Sequence, residues 1–216
     1  AKCKQKASLI LAMRRSIFNT EISPETRHWL KQAPLFTNVR RLVDYKCADW
    51  TVSVVEERIP DIINDGPSLV IGGRPFDEFS YKVKERSRWL TERYPVLRHH
   101  LIFLPNHNIA TSWIIQQGTD YPVMLSWKDK EAGPTGISNA GLNFAVPFCV
   151  LDGVTWERLG EIRRDNEGRL VSDIGFVIEY EKDHRNGEYY PSRDSFLWNM
   201  KKACGIFGSE EYDQWA

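Results

Sequence analysis

The apolar positions of this chain change period as it proceeds, and the changes mark its elements. Between Ala7 and Phe18 they fall at 9, 10, 13, 17 and 18, a helical spacing with Lys and Arg on the other faces, which predicts a basic amphipathic helix. Ser23-Pro24-Glu25-Thr26 has the form of a helix start, since Ser23 can cap free amides and Pro24 suits the first helical position. That helix is expected to reach about Gln32 and stop before Pro34, followed by a helical stretch from Thr37 to Tyr45 and a strand from Trp50 to Val55.

Residues 68–104 carry the strongest pattern. Ser68-Leu69-Val70-Ile71-Gly72 reads as a strand, Asp77 to Tyr94 as a capped polar helix ended by Pro95, and 98–104 as a second strand. This order is a βαβ unit, and parallel pairing of its strands places their carboxyl ends at one sheet edge. Beyond it, Thr111–Gln117 and Tyr121–Trp127 read as a hairpin around Gly118-Thr119-Asp120. Lys128 to Ala140, with Gly133, Pro134 and Gly136, has no period and reads as a mobile loop. Phe144–Leu151 looks like a central strand, Asp165-Asn166-Glu167-Gly168 like a second hairpin turn, and Ser192 or Asp194 like the cap of a final helix reaching about Cys204.

The expected fold is therefore α/β or α+β, with a mixed sheet, one βαβ unit, a helical amino-terminal segment and a closing carboxyl-terminal helix. We expect a basic segment 1–46 followed by a mixed-sheet core 47–216, together one compact domain. With 42% apolar and 12% aromatic residues, the 216-residue chain can build a sizeable core. The stretch Ala7–Met13 is too short for a membrane span and lacks a signal-peptide cleavage pattern, so no membrane partner is expected. Cysteines 3, 47, 149 and 204 show no paired spacing, which points to reduced thiols in an intracellular, cytoplasmic setting rather than a zinc or redox motif. No cofactor is identified by the sequence.

Net charge is zero but segregated. Residues 1–46 carry ten basic residues against three acidic, 47–81 two against seven, 82–100 six against two, and 151–216 nine against fourteen. A bipolar surface of this kind suits a polyanion, a charged protein partner, or internal pairing.

The candidate chemistry lies mainly at the predicted sheet edge. Gly72-Gly73-Arg74 stands where a strand hands over to a helix, so free amides and the Arg74 guanidinium are candidates to receive an anion. The competing explanation of the two glycines is a tight turn that needs positive φ. Asn106, His107 and Asn108 belong to the same edge, with His107 as candidate acid/base and the asparagines as polar positioners. Neither a Gly-x-Gly-x-x-Gly nor a Gly-Lys-Ser/Thr pattern is present, so no conventional dinucleotide or triphosphate site is read. His99 and His100, adjacent on a strand, would point to opposite faces and not share a metal. Cys149, within an apolar run, is weighed as a nucleophile served by His107.

On the 77–94 helix, Lys84, Arg86 and Arg93 flank Trp89, a composition that can hold single-stranded RNA or DNA by charge and stacking. The leading expectation is thus an intracellular protein binding a phosphate-bearing ligand, nucleic acid ahead of a small nucleotide. One alternative is an enzyme using His107 and Arg74 at the sheet edge. Another is a non-enzymatic module whose acidic or basic faces dock proteins.

Overall fold

The computed structural model describes residues 22–133 and 135–215. The expected amphipathic helix at 7–18 and the basic cluster Lys2, Lys4, Lys6, Arg14 and Arg15 lie outside the described residues. The protein is α/β, with six parallel strands in two sets of three. The chain parts into two compact units at Asp120/Tyr121. A cut after residue 46 would sever a strand of the first unit from its neighbour.

The first unit begins with helix α1 (Pro24–Gln32), where Ser23 Oγ accepts from the Thr26 amide at 3.1 Å as expected of the cap. Strand β1 (Leu35–Val39) follows, where the sequence had suggested a helix from Thr37. Its residues from Leu35 to Asn38 are all buried, so the alternation that marks a half-exposed strand is missing and period alone could not identify it. Trp50–Val55 is likewise reassigned. It lies in helix α2 (Ala48–Glu57), because Val52, Val54 and Val55 gain full burial there, which outweighs their β propensity. Helix α3 (Ile59–Asp65) ends on Gly66 at φ +76°.

The βαβ unit is present. Strand β2 (Ser68–Gly72) leads to helix α4 (Glu78–Arg93), and β3 (Leu101–Leu104) pairs with β2 in parallel, Leu69 opposite Leu101 and Gly72 opposite Leu104. Helix α4 starts on a reciprocal cap: the Ser80 amide donates to Asp77 Oδ1 at 2.8 Å, and the Asp77 amide to Ser80 Oγ at 3.0 Å. Its buried stripe is Ser80, Val83, Ser87 and Leu90. The second strand starts later than expected, because Pro95–His99 forms a 3-10 turn.

Val70 packs with Leu30, Leu35, Ile102, Leu104 and Ile115 in one core cluster, while the alternate residues Leu69 and Ile71 are buried on the opposite face of the sheet. Arg86 ties α4 to α2, its guanidinium reaching Glu56 Oε2 at 2.6 Å and Asp49 Oδ1 at 3.1 Å. We expect Arg86→Ala to cost about 1–2 kcal/mol, because two half-buried carboxylates lose a shared partner, and a urea unfolding midpoint measures it.

Helix α5 (Ile109–Gly118) replaces the strand expected at Thr111–Gln117, so no hairpin joins it to Tyr121. The signal was the spacing of Asn108 and Thr111, which close a second reciprocal cap: the Thr111 amide donates to Asn108 Oδ1 at 3.0 Å, and the Asn108 amide to Thr111 Oγ1 at 2.9 Å.

The second unit contains strands β4 (Tyr121–Met124), β5 (Phe148–Val150) and β8 (Phe176–Ile178), parallel in that order. Between them come α6 (Thr135–Gly141), inside the segment expected to be a loop, and the short α7 (Thr155–Arg158). The Asp165–Gly168 hairpin is present as β6 (Ile162–Arg164) and β7 (Leu170–Ser172), and a further hairpin joins β9 (Tyr180–Lys182) to β10 (Tyr189–Pro191). Ser192 caps α8 (Arg193–Ile206), the closing helix, and α9 (Glu210–Trp215) follows it. Tyr212 is buried against Tyr121 and Phe207, so the acidic tail is anchored by its aromatic ring.

Candidate functional site

In the first unit the parallel register sets Val39, Gly72 and Leu104 side by side at the ends of β1, β2 and β3. The residues that follow, Arg40-Arg41, Gly73-Arg74 and Pro105-Asn106, therefore emerge at one edge, outside the carboxyl ends of three parallel strands, where open α/β sheets bind ligands. The structure adds Arg40 and Arg41 to the predicted group. They were missed because Thr37–Tyr45 read as a helix; recognising β1 would have placed them.

The two glycines are explained differently from either sequence expectation. Neither Gly72 nor Gly73 has positive φ. They are needed because neighbouring backbone crowds them: a Cβ on Gly72 would lie 2.5 Å from the Leu104 carbonyl oxygen, and one on Gly73 2.4 Å from that of Arg40. The Gly73 amide donates to Leu104 O at 3.0 Å, so it serves the sheet. The first turn of α4 is occupied by the Asp77 carboxylate, whose pKa is held below its ordinary value by hydrogen bonds from Ser80. What this strand end offers an anion is the exposed Arg74 side chain.

Beyond β3, Asn106 is exposed and its carbonyl accepts from Thr111 Oγ1 at 3.4 Å. Asn108 is committed to capping α5. His107 is half-buried, and burial pushes its pKa below the ordinary 6.5, so the ring is neutral at physiological pH. His100 is fully buried, with Nδ1 2.8 Å from Pro67 O, and burial likewise lowers its pKa. His99 instead places Nδ1 2.9 Å from Thr26 Oγ1.

These two depressed histidines give a pH prediction. Unfolded, each takes up a proton near pH 6.5; folded, each resists until lower pH. Stability is therefore complete above that value and is lost as pH falls through it toward the folded pKa, by at most about 1.4 kcal/mol per pH unit per group. Urea midpoints compared at about pH 7.5 and about pH 5.5 should show the lower value in acid.

Helix α4 separates the four residues expected to bind nucleic acid. Arg86 is spent on Glu56 and Asp49, and Lys84 lies 3.9 Å from Glu85 and over the ring of Tyr81. Trp89 is half exposed, and Arg93 is exposed beside the Tyr94 ring. Arg88 pairs with Glu85 and Glu92, so much of the helix's positive charge is answered on its own surface.

In the second unit, Cys149 is fully buried and its thiol is pushed up to about 12, which leaves no thiolate for nucleophilic attack at neutral pH. Iodoacetamide applied to the native protein should leave Cys149 unmodified, with labelling after denaturation, as peptide mass spectrometry would show. At the ends of β4 and β5, the buried Asp152 carboxylate gathers the chain. Its Oδ2 accepts from Ser126 Oγ at 2.9 Å, the Lys130 amide at 3.2 Å and the Glu131 amide at 2.9 Å. This holds the start of the segment expected to be loose. Among the described residues, no three His, Cys, Asp or Glu side chains converge to hold a metal, and no helix is long and apolar enough to cross a membrane.

No protein-family model matches the chain. Over 155 residues it is 24% identical to the alpha-glucan phosphorylase, H isozyme, of Vicia faba, covering 68% of this chain and 18% of that protein. The H isozyme of Triticum aestivum is 26% identical over 112 residues, 52% of this chain and 14% of that protein. That of Solanum tuberosum is 23% identical over 154 residues, again 68% and 18%. The chain thus spans 18% or less of the length of these curated relatives.

Proposed function

We propose that this chain binds a phosphate-bearing small ligand at the carboxyl edge of β1, β2 and β3. The observation that carries the reading is the register, which sets Arg41, Arg74 and Asn106 at one level beyond three parallel strand ends. Arginine suits this task, since its planar fork meets phosphate oxygens two at a time. His107, neutral through burial, is the group of that edge fitted to move a proton should the ligand react there. The similarity to proteins named for phosphorylase action on alpha-glucan supports a ligand that joins sugar to phosphate.

Titration calorimetry with inorganic phosphate and with glucose 1-phosphate tests the proposal. Saturable binding is expected, weakened about tenfold or more by Arg74→Ala, the usual cost of one charge-assisted contact. Absence of binding at millimolar concentrations, or an Arg74→Ala variant that binds as well as the parent, would refute it.

A second reading, nucleic-acid binding, is favoured by the exposure of Trp89 and Arg93 on α4. Retardation of a labelled single-stranded oligonucleotide that survives Arg74→Ala but is lost in Arg93→Glu would move the site to that helix. Such binding should weaken steeply with salt, because each neutralised phosphate releases a counterion.

A further inference from the structure

A separate cavity of about 730 Å³ lies in the first unit, alongside β3 and the turn leading into it. Its volume is within the range of small-molecule sites. The polar lining comes from α1 with its cap Ser23, from Thr91 of α4 and from the 3-10 turn. Helix α1 supplies Glu25 and Thr26, and the 3-10 turn supplies Arg98 and His99. Ile22, Pro95 and Phe103 give the same cavity an apolar surface.

Glu25 and Arg98 face the same cavity, yet no ion pair joins them among the described residues, and the contact found for the Arg98 guanidinium is a long one, 3.4 Å from Nε to Thr91 O. Glu25 is held ionised by hydrogen bonds from its own backbone and from Ser23, which lower its pKa. Ser23 Oγ lies 3.2 Å from Thr26 Oγ1, which in turn meets His99 Nδ1, so the imidazole is oriented from α1. The lining thus offers a fixed anion from α1 and, from the 3-10 turn, a cation with most of its donors open, with apolar surface beside them.

We propose that this cavity binds a small amphipathic zwitterion, a free α-amino acid with an apolar side chain. Its carboxylate meets Arg98, its ammonium meets Glu25, and its side chain lies against Ile22, Pro95 and Phe103. An anion lacking the ammonium leaves Glu25 uncompensated beside it; a cation lacking the carboxylate does the same to Arg98. Opposite charges lining one cavity therefore select for both ends of one ligand.

Calorimetry on the full chain with L-phenylalanine as probe tests this, with 3-phenylpropionate and phenethylamine as controls that each lack one charge. L-Phenylalanine should bind saturably and more tightly than either control. Arg98→Gln and Glu25→Gln, both at exposed positions and checked for folding by circular dichroism, should each weaken it about tenfold. Arg74→Ala should leave it unchanged, which keeps this test independent of the phosphate proposal. Absence of saturable binding, controls that bind as tightly as the amino acid, or variants that bind like the parent would overturn the inference.

Discussion

Gly73→Ala should destabilise the protein by about 3 kcal/mol or more, since overpacking against groups that cannot yield exceeds the ordinary cost of an added methyl. The new Cβ would stand 2.4 Å from the Arg40 carbonyl oxygen and 2.6 Å from Leu42 Cγ. A leucine side chain can turn away, but the Arg40 carbonyl belongs to backbone fixed beside β2, where the Arg40 amide donates to Gly72 O at 3.0 Å. Relief would require the ends of β1 and β2 to separate, which also spreads Arg41 from Arg74. Thermal or urea unfolding measures the first effect. A phosphate titration under conditions where the variant stays folded measures the second, and binding should be lost together with stability. An alanine variant as stable as the parent would show that these strand ends are looser than their packing implies.

The other large effect is expected at Asp152. Asp152→Ala removes the acceptor of three hydrogen bonds, taking it from the Ser126 hydroxyl and the Glu131 amide, while the Lys130 amide keeps the Trp127 carbonyl oxygen at 3.3 Å. Orphaned donors cost about 1–3 kcal/mol each where water cannot reach them, so a loss of about 3–4 kcal/mol is expected. Asp152→Asn keeps an oxygen acceptor but not its charge and should cost about half as much, because hydrogen bonds to neutral groups are weaker. Hydrogen exchange separates local from global effects: the amide of Glu131 should lose protection first, ahead of that of Lys130, which keeps Trp127 O. If Asp152→Ala unfolds like the parent, the carboxylate is not what holds this segment.

Both effects occur where neither local pattern nor composition could have predicted them. Gly72 and Gly73 were visible in the sequence as a pair that must matter, and position alone suggested a turn. The actual reason is the neighbouring backbone of Arg40, 33 residues from Gly73, and of Leu104, 32 residues from Gly72, brought there by the parallel register. Asp152 had no local mark at all, since its partners lie between Ser126 and Glu131.

What the sequence by itself determined was local. Asp77 with Ser80, Ser23 with Thr26, and Ser192 with Ser195 fix helix starts through hydrogen bonds that span three residues, so they are legible wherever they occur. The β2–α4–β3 unit was legible for the same reason, as an apolar strand, a capped helix and a second strand set close together. Tertiary structure alone decided the identities of β1 and α2. These are short segments buried on several sides, where period is lost and burial against distant chain overrides propensity. It also decided the fate of each charge: Arg86 reads like Arg74 in the sequence, yet one is bound between Glu56 and Asp49 and the other is exposed at the sheet edge. A side chain's type states which partners it can take, and only the packing of elements states which of them are already there.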